Sequence, residues 1–208
     1  MRISLLGLLL WTSFFQAHAQ LEIGVKAGIN YRNMLYYAGE IPVDNSTQLF
    51  TPGFMAGLYA TYPLSERFFA HTEAIYQEKG FKYNDFFNPI GKISVRYFSV
   101  PVMLRYKLVG INYVEAGLEA GIRQKALSRS NGQTSDVTGF YQQRIDAAAI
   151  GGIAWRFTEI VWAGARLNYG LNSAIGQGLL LDDGGQPLPG VLRARHVVMQ
   201  FWVGFTLP

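Results

Sequence analysis

A strict two-residue alternation near the start of the chain constrains the fold more than any other feature of the sequence. Across residues 21–32 every odd position is apolar or aromatic, and every even position is glycine, asparagine or a charged residue. Successive side chains of a β-strand point to opposite faces, so this segment predicts a strand with one apolar and one polar face. The apolar face must lie against either a protein core or a lipid bilayer.

The same alternation returns in seven later segments, at residues 51–62, 68–83, 98–108, 114–123, 140–157, 161–171 and 197–207. Long connections are predicted at 34–50, 85–91, 129–139 and 175–192, and tight turns near 63–66, 110–112 and 158–159. Eight strands whose connections alternate between long and short predict an all-β, antiparallel up-and-down barrel with two different rims. Pro101 lies inside the fourth strand, which predicts a bulge or an unpaired N–H position there.

The composition excludes several other classes of protein. Half of the residues are hydrophobic and 15% are charged, yet no apolar run after residue 20 approaches the ~18 residues of a membrane helix. A helical membrane protein is therefore excluded. Cysteine is absent, which removes disulfides, thiolate metal sites and thiol nucleophiles.

The first nineteen residues have the three parts of a secretory signal peptide. Arg2 is followed by an apolar core at 3–15 and by the small-residue cleavage box Ala17-His18-Ala19. We therefore predict a signal peptide at 1–19 and a barrel domain at 20–208. The formal net charge of +4 falls by one when Arg2 is removed, and the basic residues are spread along the chain, so no nucleic-acid partner is predicted.

Glycine on the polar face favours a barrel in lipid over a barrel in water. The glycines of that face are Gly24, Gly28, Gly57, Gly117, Gly121, Gly152, Gly164, Gly170 and Gly204. Glycine weakens a strand and does nothing for a solvated exterior. Inside a narrow eight-stranded barrel, however, long charged side chains need small neighbours.

Aromatic residues of the apolar face are predicted to form two bands at the membrane interfaces. Near the short-turn rim lie Tyr62, Phe68, Tyr106, Trp155, Phe157 and Phe205, and nearer the other rim lie Tyr31, Tyr76, Phe98 and Tyr169. Such bands, short periplasmic turns and longer outer loops are typical of an eight-stranded antiparallel up-and-down transmembrane β-barrel. Together with the signal peptide they predict the bacterial cell outer membrane, with a secreted lipocalin-like binder as the alternative.

Several short motifs resemble those of a known family. They are GVKAGIN at 24–30, YQEKG at 76–80, YFSVPVMLRY at 97–106, RID at 144–146 with GG at 151–152, and RLNYGL at 166–171. In this order they resemble the PorT-like outer-membrane β-barrel proteins of Bacteroidota, over essentially the whole mature chain. The resemblance implies the barrel fold, the outer-membrane location and a proline at the position of Pro101. It implies no catalytic residue.

If the polar face lines the lumen, it brings many charges into a narrow space. The predicted lumen charge network consists of Lys26, Glu73, Arg105, Lys107, Glu115, Glu119, Arg123, Arg144, Asp146, Arg156 and Arg166. Enclosed charges must be paired or hydrated, so we expect a polar plug of ion pairs. In the hairpin around residues 110–112, Glu115 can lie opposite either Lys107 or Arg105.

Two histidines are the candidates for catalysis. His71 lies two residues from Glu73, and His196 follows Asp182 and Asp183 at the start of the last strand. We interpret both as hydrogen-bonded lumen or loop residues and expect no enzyme activity, cofactor or metal site.

The sequence therefore predicts a structural, adhesive or assembly component that acts through its extracellular loops. The alternative is a small pore or small-ligand carrier, although water-filled channels occur in much wider barrels. The expected partners are outer-membrane lipid and lipopolysaccharide, the barrel assembly machinery and a protein that binds the extracellular loops.

Overall fold

The computed structural model describes residues 21–38, 41–42, 48–83, 91–130, 132–140, 143–174, 178–181 and 187–208. Its eight long strands are β1 Glu22–Ala38, β2 Thr51–Pro63, β3 Phe68–Tyr83, β4 Gly91–Lys107, β5 Asn112–Ser130, β6 Ile145–Arg156, β7 Val161–Gly170 and β8 Pro187–Thr206. Short strands at Ile41–Pro42, Gln48–Leu49, Gln133–Asp136 and Gly178–Leu181 and a 3-10 turn at Thr138–Phe140 lie on the long-connection side. The predicted signal peptide lies outside the described residues.

Each long strand pairs antiparallel with the next, and the last pairs with the first. The closing ladder between β1 and β8 runs from Gly24 opposite Thr206 to Ala38 opposite Leu192. Closure leaves no free edge among the eight strands, which is the arrangement a barrel needs. The predicted eight-stranded antiparallel barrel is therefore confirmed.

The apolar parity of the strands faces outward and the polar parity faces the lumen. Leu118 on β5 is 61% exposed, whereas its neighbour Glu119 is 2% exposed. On β4, Val102 and Leu104 are exposed and Arg105 is buried. A soluble barrel of the lipocalin kind has the opposite arrangement, and an apolar exterior is the arrangement that lipid stabilises.

The strands are longer on the long-connection side than the sequence pattern predicts. β1 continues to Ala38, β5 continues to Ser130 and then pairs with Gln133–Asp136, and β8 already begins at Pro187. The predicted loops at 34–50, 129–139 and 175–192 were therefore drawn too wide, and β6 begins at Ile145 instead of residue 140. Beyond the bilayer a strand needs no apolar outer face, so the alternation that identified it fades. Most of the predicted loop at 85–91 lies outside the described residues.

The expected irregularity at Pro101 takes the form of a gap in one ladder. Between β3 and β4 the pairing runs from Thr72 opposite Val102 to Ile75 opposite Ser99, with no change of register. The omitted pairs are Glu73 with Pro101, which has no N–H to donate, and the adjacent pair Ala74 with Val100. The bulge lies elsewhere, at Gln124, where the register with β4 shifts between Arg96 and Tyr97.

Two apolar clusters also line the lumen. One extends from the short-turn side into the polar middle and contains Met55, Ile75, Tyr113, Ala154, Trp162 and Trp202. The other, on the long-connection side, contains Met34, Phe81, Val95, Tyr97, Ala126, Ala174 and Ala194. In the described ranges, no helix has the length and apolar character needed to cross a membrane.

Candidate functional site

The centre of the lumen is built around the Glu73 carboxylate, which β3 directs inward. Lys26 of β1 donates from Nζ to Glu73 Oε1 at 2.7 Å. Arg166 of β7 donates from Nη1 to Glu73 Oε2 at 3.0 Å and from Nη2 to Oε1 at 2.9 Å. This two-point contact is the geometry in which a guanidinium binds a carboxylate most strongly. Strands from opposite sides of the barrel are thereby joined across the lumen.

A second carboxylate, Glu115 of β5, extends this cluster around the wall. Arg166 Nε donates to Glu115 Oε1 at 2.9 Å, and Arg105 Nε donates to Glu115 Oε2 at 2.8 Å. Arg105 is also the direct strand partner of Glu115. Of the two registers that the sequence left open, the structure therefore has the one with Arg105. Lys107 lies opposite Tyr113 at the short-turn rim and is half-buried.

His71 belongs to this cluster as a connecting residue. Its Nδ1 lies 2.7 Å from the Thr61 hydroxyl. Its Nε2 lies 2.9 Å from Glu73 Oε1 and 3.0 Å from Arg105 Nη2. Both ring nitrogens are thus held by the barrel wall, and the imidazole has the environment of a buried structural histidine.

A second charged cluster, built around Lys79 and Glu119, lies further toward the long connections. Lys79 Nζ is 2.7 Å from Glu119 Oε1 and 2.6 Å from Asp146 Oδ2. Two side-chain amides provide hydrogen bonds that water would otherwise make to the Glu119 carboxylate. Gln77 donates to Oε1 at 2.8 Å and Asn168 donates to Oε2 at 2.9 Å. Buried charges are stable only when they are paired and hydrogen-bonded in this way.

Together the two clusters contain equal numbers of buried cations and carboxylates. The cations are Lys26, Lys79, Arg105 and Arg166, and the carboxylates are Glu73, Glu115, Glu119 and Asp146. None of these eight residues is more than 3% exposed. The charges of these eight residues therefore cancel one another, and we name the eight residues the lumen network.

Aromatic packing fills the space beside the lumen network. The Lys26 ammonium lies 3.9 Å from the ring centroid of Trp202, and the guanidinium carbons of Arg105 and Arg166 lie 5.5 Å and 5.4 Å from that ring. Such cation–π contacts stabilise the cations further. Gly164 makes room for the indole, because a Cβ at this position would lie 2.5 Å from Trp202 ring atoms.

Four of the predicted lumen charges lie at the rims and outside the lumen network. One of them is Lys107, described above. A second is Arg156, which pairs with Glu22 at 3.0 Å near the short turns. Arg123 donates to the Gln143 carbonyl at 2.6 Å, and Arg144 is exposed just before β6. Alternation assigns a residue to a face of the sheet and does not give its depth in the barrel, which is why rim and centre were not separated.

Lys79 is the member of the lumen network that the predicted set omitted. It shares the parity of Glu73 on β3, so the same alternation carried the signal for it. His196, the other histidine considered for catalysis, is buried with Nε2 3.4 Å from the Tyr97 hydroxyl. The acidic residues Asp182 and Asp183 lie outside the described residues. In the part of the chain that the structure describes, no group of three or more His, Asp or Glu residues could hold a metal ion.

The ten residues predicted as interface aromatics lie on the outer parity of the strands. Phe68 packs on Tyr106 beside the short turns, with ring centroids 4.9 Å apart, and Tyr76 lies opposite Phe98 on the same two strands. The two levels are eight residues apart on β3, or about 26 Å along the strand and about 20 Å in height after a ~40° tilt. Partly or fully exposed positions are also taken by Tyr31, Tyr62, Trp155, Phe157, Tyr169 and Phe205.

An apolar exterior, a closed sheet and paired charges in the lumen define an integral outer-membrane β-barrel protein. Comparison with protein families agrees, since the model of the outer membrane protein beta-barrel domain matches residues 14–176. The chain belongs to this family.

Solved structures with the same fold include two eight-stranded outer-membrane barrels. Ail, the attachment invasion locus protein of Yersinia pestis, has 13% identity and a TM-score of 0.51, covering 89% of this chain and 98% of Ail. Neisserial surface protein A has 12% identity and a TM-score of 0.52, covering 89% and 97% of the two chains. At these identities the likeness shows the fold alone. None of the curated protein sequences compared with the chain matches it.

Proposed function

We propose that this protein is a non-conducting barrel of the cell outer membrane that serves as a structural, adhesive or assembly component through its extracellular side. The observation that carries the proposal is the lumen network, in which eight buried charges cancel one another inside the barrel. An aqueous pathway needs charges that water can reach, and these charges are held by protein atoms instead. On the same grounds we assign no catalytic role to the lumen.

The apolar clusters support a closed lumen. Tyr113 and Trp162 pack with ring centroids 5.0 Å apart on the short-turn side of the lumen network. Met34, Val95 and Ala126, each with no exposed surface, pack on its other side. Ions that entered from either rim would have to cross an apolar layer before they reached the charged middle. A small pore or small-ligand carrier is therefore the less favoured function.

The strand extensions support an extracellular role. β5 has 19 residues and β8 has 20, whereas a strand crosses the bilayer with about 9–11 residues. The extra residues lie on the long-connection side, where the apolar cluster around Met34 and Phe81 holds the wall together. The connections thus start from a rigid rim, which suits presentation of a binding surface to a protein partner. Attachment, in the sense of Ail's name, is one form that this role would take.

The export route belongs to the same proposal. The signal peptide at 1–19 would direct the chain across the inner membrane, and the barrel assembly machinery would insert it among outer-membrane lipid and lipopolysaccharide. The motifs YQEKG and YFSVPVMLRY support placement among the PorT-like barrels within the larger family.

Single-channel recording in planar bilayers tests the closed lumen. The folded protein is expected to give no sustained openings at any voltage at which the bilayer alone is stable, while a wide porin in the same bilayers gives steady conductance. The matched variant Lys107→Gln changes a rim charge and should be equally silent. Reproducible ion-sized openings of the unmodified barrel would overturn the proposal and favour the pore.

A further inference from the structure

Three cations stand side by side on the outer surface of the barrel, beyond the membrane-facing part of the strands. Lys82 of β3 is the direct strand partner of Lys92 of β4, and Lys92 is the direct partner of Arg129 of β5. Residues directly opposite each other in antiparallel strands share a face, with Cβ atoms about 5 Å apart, and like charges in such pairs are destabilising. We name these three residues the cation row.

More cations surround the cation row on the side toward the membrane. Arg96 and Lys125 are direct partners four residues closer to the bilayer. The Arg32 guanidinium reaches Glu78 in the same region from β1, but the Arg32 side chain is fully buried. The Gln124 bulge produces this arrangement, because one extra residue brings Lys125 and Arg129 to the outer face and Ala126 to the lumen. The bulge therefore adds two cations to a surface that alternation alone would have left without them.

The nearby carboxylates are already engaged. Glu78 lies 3.4 Å from Arg32 and 3.6 Å from Arg96. Asp136 lies 3.5 Å from Lys125, and hydrogen bonds from Thr138 lower the pKa of the Asp136 carboxyl and keep it ionised. Within the described ranges, no carboxylate lies within 4 Å of any member of the cation row. Five surface cations and the buried Arg32 thus share two carboxylates.

The surface between these cations is concave. A pocket of about 320 Å³ is lined by Lys92, Arg96, Arg129, Ser94, Thr134 and Glu78, among others. It offers two guanidinium groups, an ammonium and two hydroxyls to one ligand. Guanidinium groups bind phosphate through two parallel hydrogen bonds, and an ammonium adds a point charge.

The height of the pocket relative to the membrane identifies the ligand. Phe98 marks the outer aromatic level, and Arg96 and Lys92 lie two and six residues beyond it on β4. At ~3.3 Å per residue and a ~40° tilt, these residues stand about 5 Å and 15 Å above the aromatic level. That layer of an outer membrane holds the phosphorylated sugars of lipopolysaccharide. We propose that the cation row and its pocket bind the phosphorylated saccharide headgroup of a lipopolysaccharide molecule in the outer leaflet.

This inference rests on the proposed outer-membrane orientation, with the long connections outside, and it is independent of whether the lumen conducts. An anion in the pocket neutralises the repulsion within the cation row and holds β3, β4 and β5 together where they leave the bilayer. The lipid would thus be part of the folded structure of the extracellular rim.

Binding of phosphorylated lipopolysaccharide to the barrel in vesicles of a zwitterionic phospholipid tests the inference. The variant Lys92→Gln/Arg129→Gln removes two cations and should weaken binding roughly tenfold or more, since each basic residue near an anionic lipid surface contributes appreciably. The matched control is Lys107→Gln at the opposite rim, which should bind as the unmodified protein does. Dephosphorylated lipopolysaccharide should bind the unmodified protein as weakly as the phosphorylated lipid binds the double variant.

Thermal unfolding supplies a second readout that does not depend on the binding assay. Phosphorylated lipopolysaccharide should raise the unfolding temperature of the unmodified barrel and leave that of the double variant unchanged, whereas without lipopolysaccharide the double variant should be at least as stable, because a repulsion is removed. Equal binding by the unmodified protein and the double variant would overturn the inference, as would equal loss in Lys107→Gln. If inorganic phosphate competes for the pocket as strongly as phosphorylated lipopolysaccharide does, the assignment of the ligand to a lipid headgroup would be wrong. A failed binding test with silent bilayer recordings would leave the closed lumen standing.

Discussion

Replacing Lys79 with methionine removes the ammonium that holds two buried carboxylates together. Nζ lies 2.7 Å from Glu119 Oε1 and 2.6 Å from Asp146 Oδ2, and none of the three residues is more than 2% exposed. Methionine keeps most of the volume of the lysine stem, so the substitution acts mainly on charge. Two carboxylates would then share one buried space with no cation between them.

The expected loss is a large part of the stability of the barrel. Removing one partner of a buried ion pair costs about 3–5 kcal/mol, because the remaining charge is left unpaired. Lys79 has two partners, so we expect the free energy of unfolding to fall by about 5 kcal/mol, at the upper end of that range. The triple variant Lys79→Met/Glu119→Gln/Asp146→Asn removes all three charges. It should lose only hydrogen bonds, at about 1 kcal/mol each, and should recover most of the stability.

Urea unfolding in lipid vesicles, extrapolated linearly to zero denaturant, measures these differences. Lys107→Met is the matched control, since Lys107 lies half-buried at the rim and no carboxylate of the described residues lies within 4 Å of its ammonium. This substitution should cost less than about 1 kcal/mol. Two results would refute the reasoning. One is a loss for Lys79→Met no larger than for Lys107→Met, and the other is a triple variant as unstable as the single one.

Three further outcomes follow from the same structure. Leu118→Arg places a charge in lipid at mid-depth and should lower the free energy of unfolding by about 2–4 kcal/mol in the same urea assay; no change would mean that Leu118 does not face lipid. Gly164→Leu should destabilise the barrel by about 1–3 kcal/mol, because the added side chain collides with Trp202, and adding Trp202→Ala should restore part of that loss. Protease added to intact cells should cut only in the long connections, and cleavage between Ser65 and Glu66 would show that the short turns lie outside the cell.

The sequence predicted the faces of the strands well because alternation is a direct consequence of strand geometry. In β5, positions 114, 116, 118, 120 and 122 face outward and Glu115 and Glu119 face the lumen, as the pattern predicts. The register of the β4–β5 hairpin was left between two choices. It is set by the turn, in which Gly110 has a φ of +67°, and side-chain parity carries no information about that conformation.

Depth in the barrel and the strand extensions were harder to predict. Arg156 and Arg166 have the same parity, yet one pairs with Glu22 at the rim and the other lies in the lumen network. In the extension of β1, Met34 faces the lumen although it is apolar. The lumen is lined by charge in the middle and by apolar side chains toward the long connections, so the rule that identified the membrane-spanning part does not hold there. The Gln124 bulge reverses the faces of β5 for the residues that follow it. No residue type at this position predicts a bulge.

The central claim, an apolar face in lipid around a closed lumen, is tested most directly by a site-directed spin-label scan of β5. The chain has no cysteine, so single cysteines can be introduced one by one at positions 114 to 122 and labelled. Oxygen, which concentrates in lipid, should relax the labels at Val114, Ala116, Leu118, Ala120 and Ile122. Labels on the intervening residues should be protected from both oxygen and a water-soluble quencher. Oxygen access at the intervening positions would show that the lipid-facing and lumen-facing residues are assigned the wrong way round. Access of the water-soluble quencher to these positions would contradict a closed lumen.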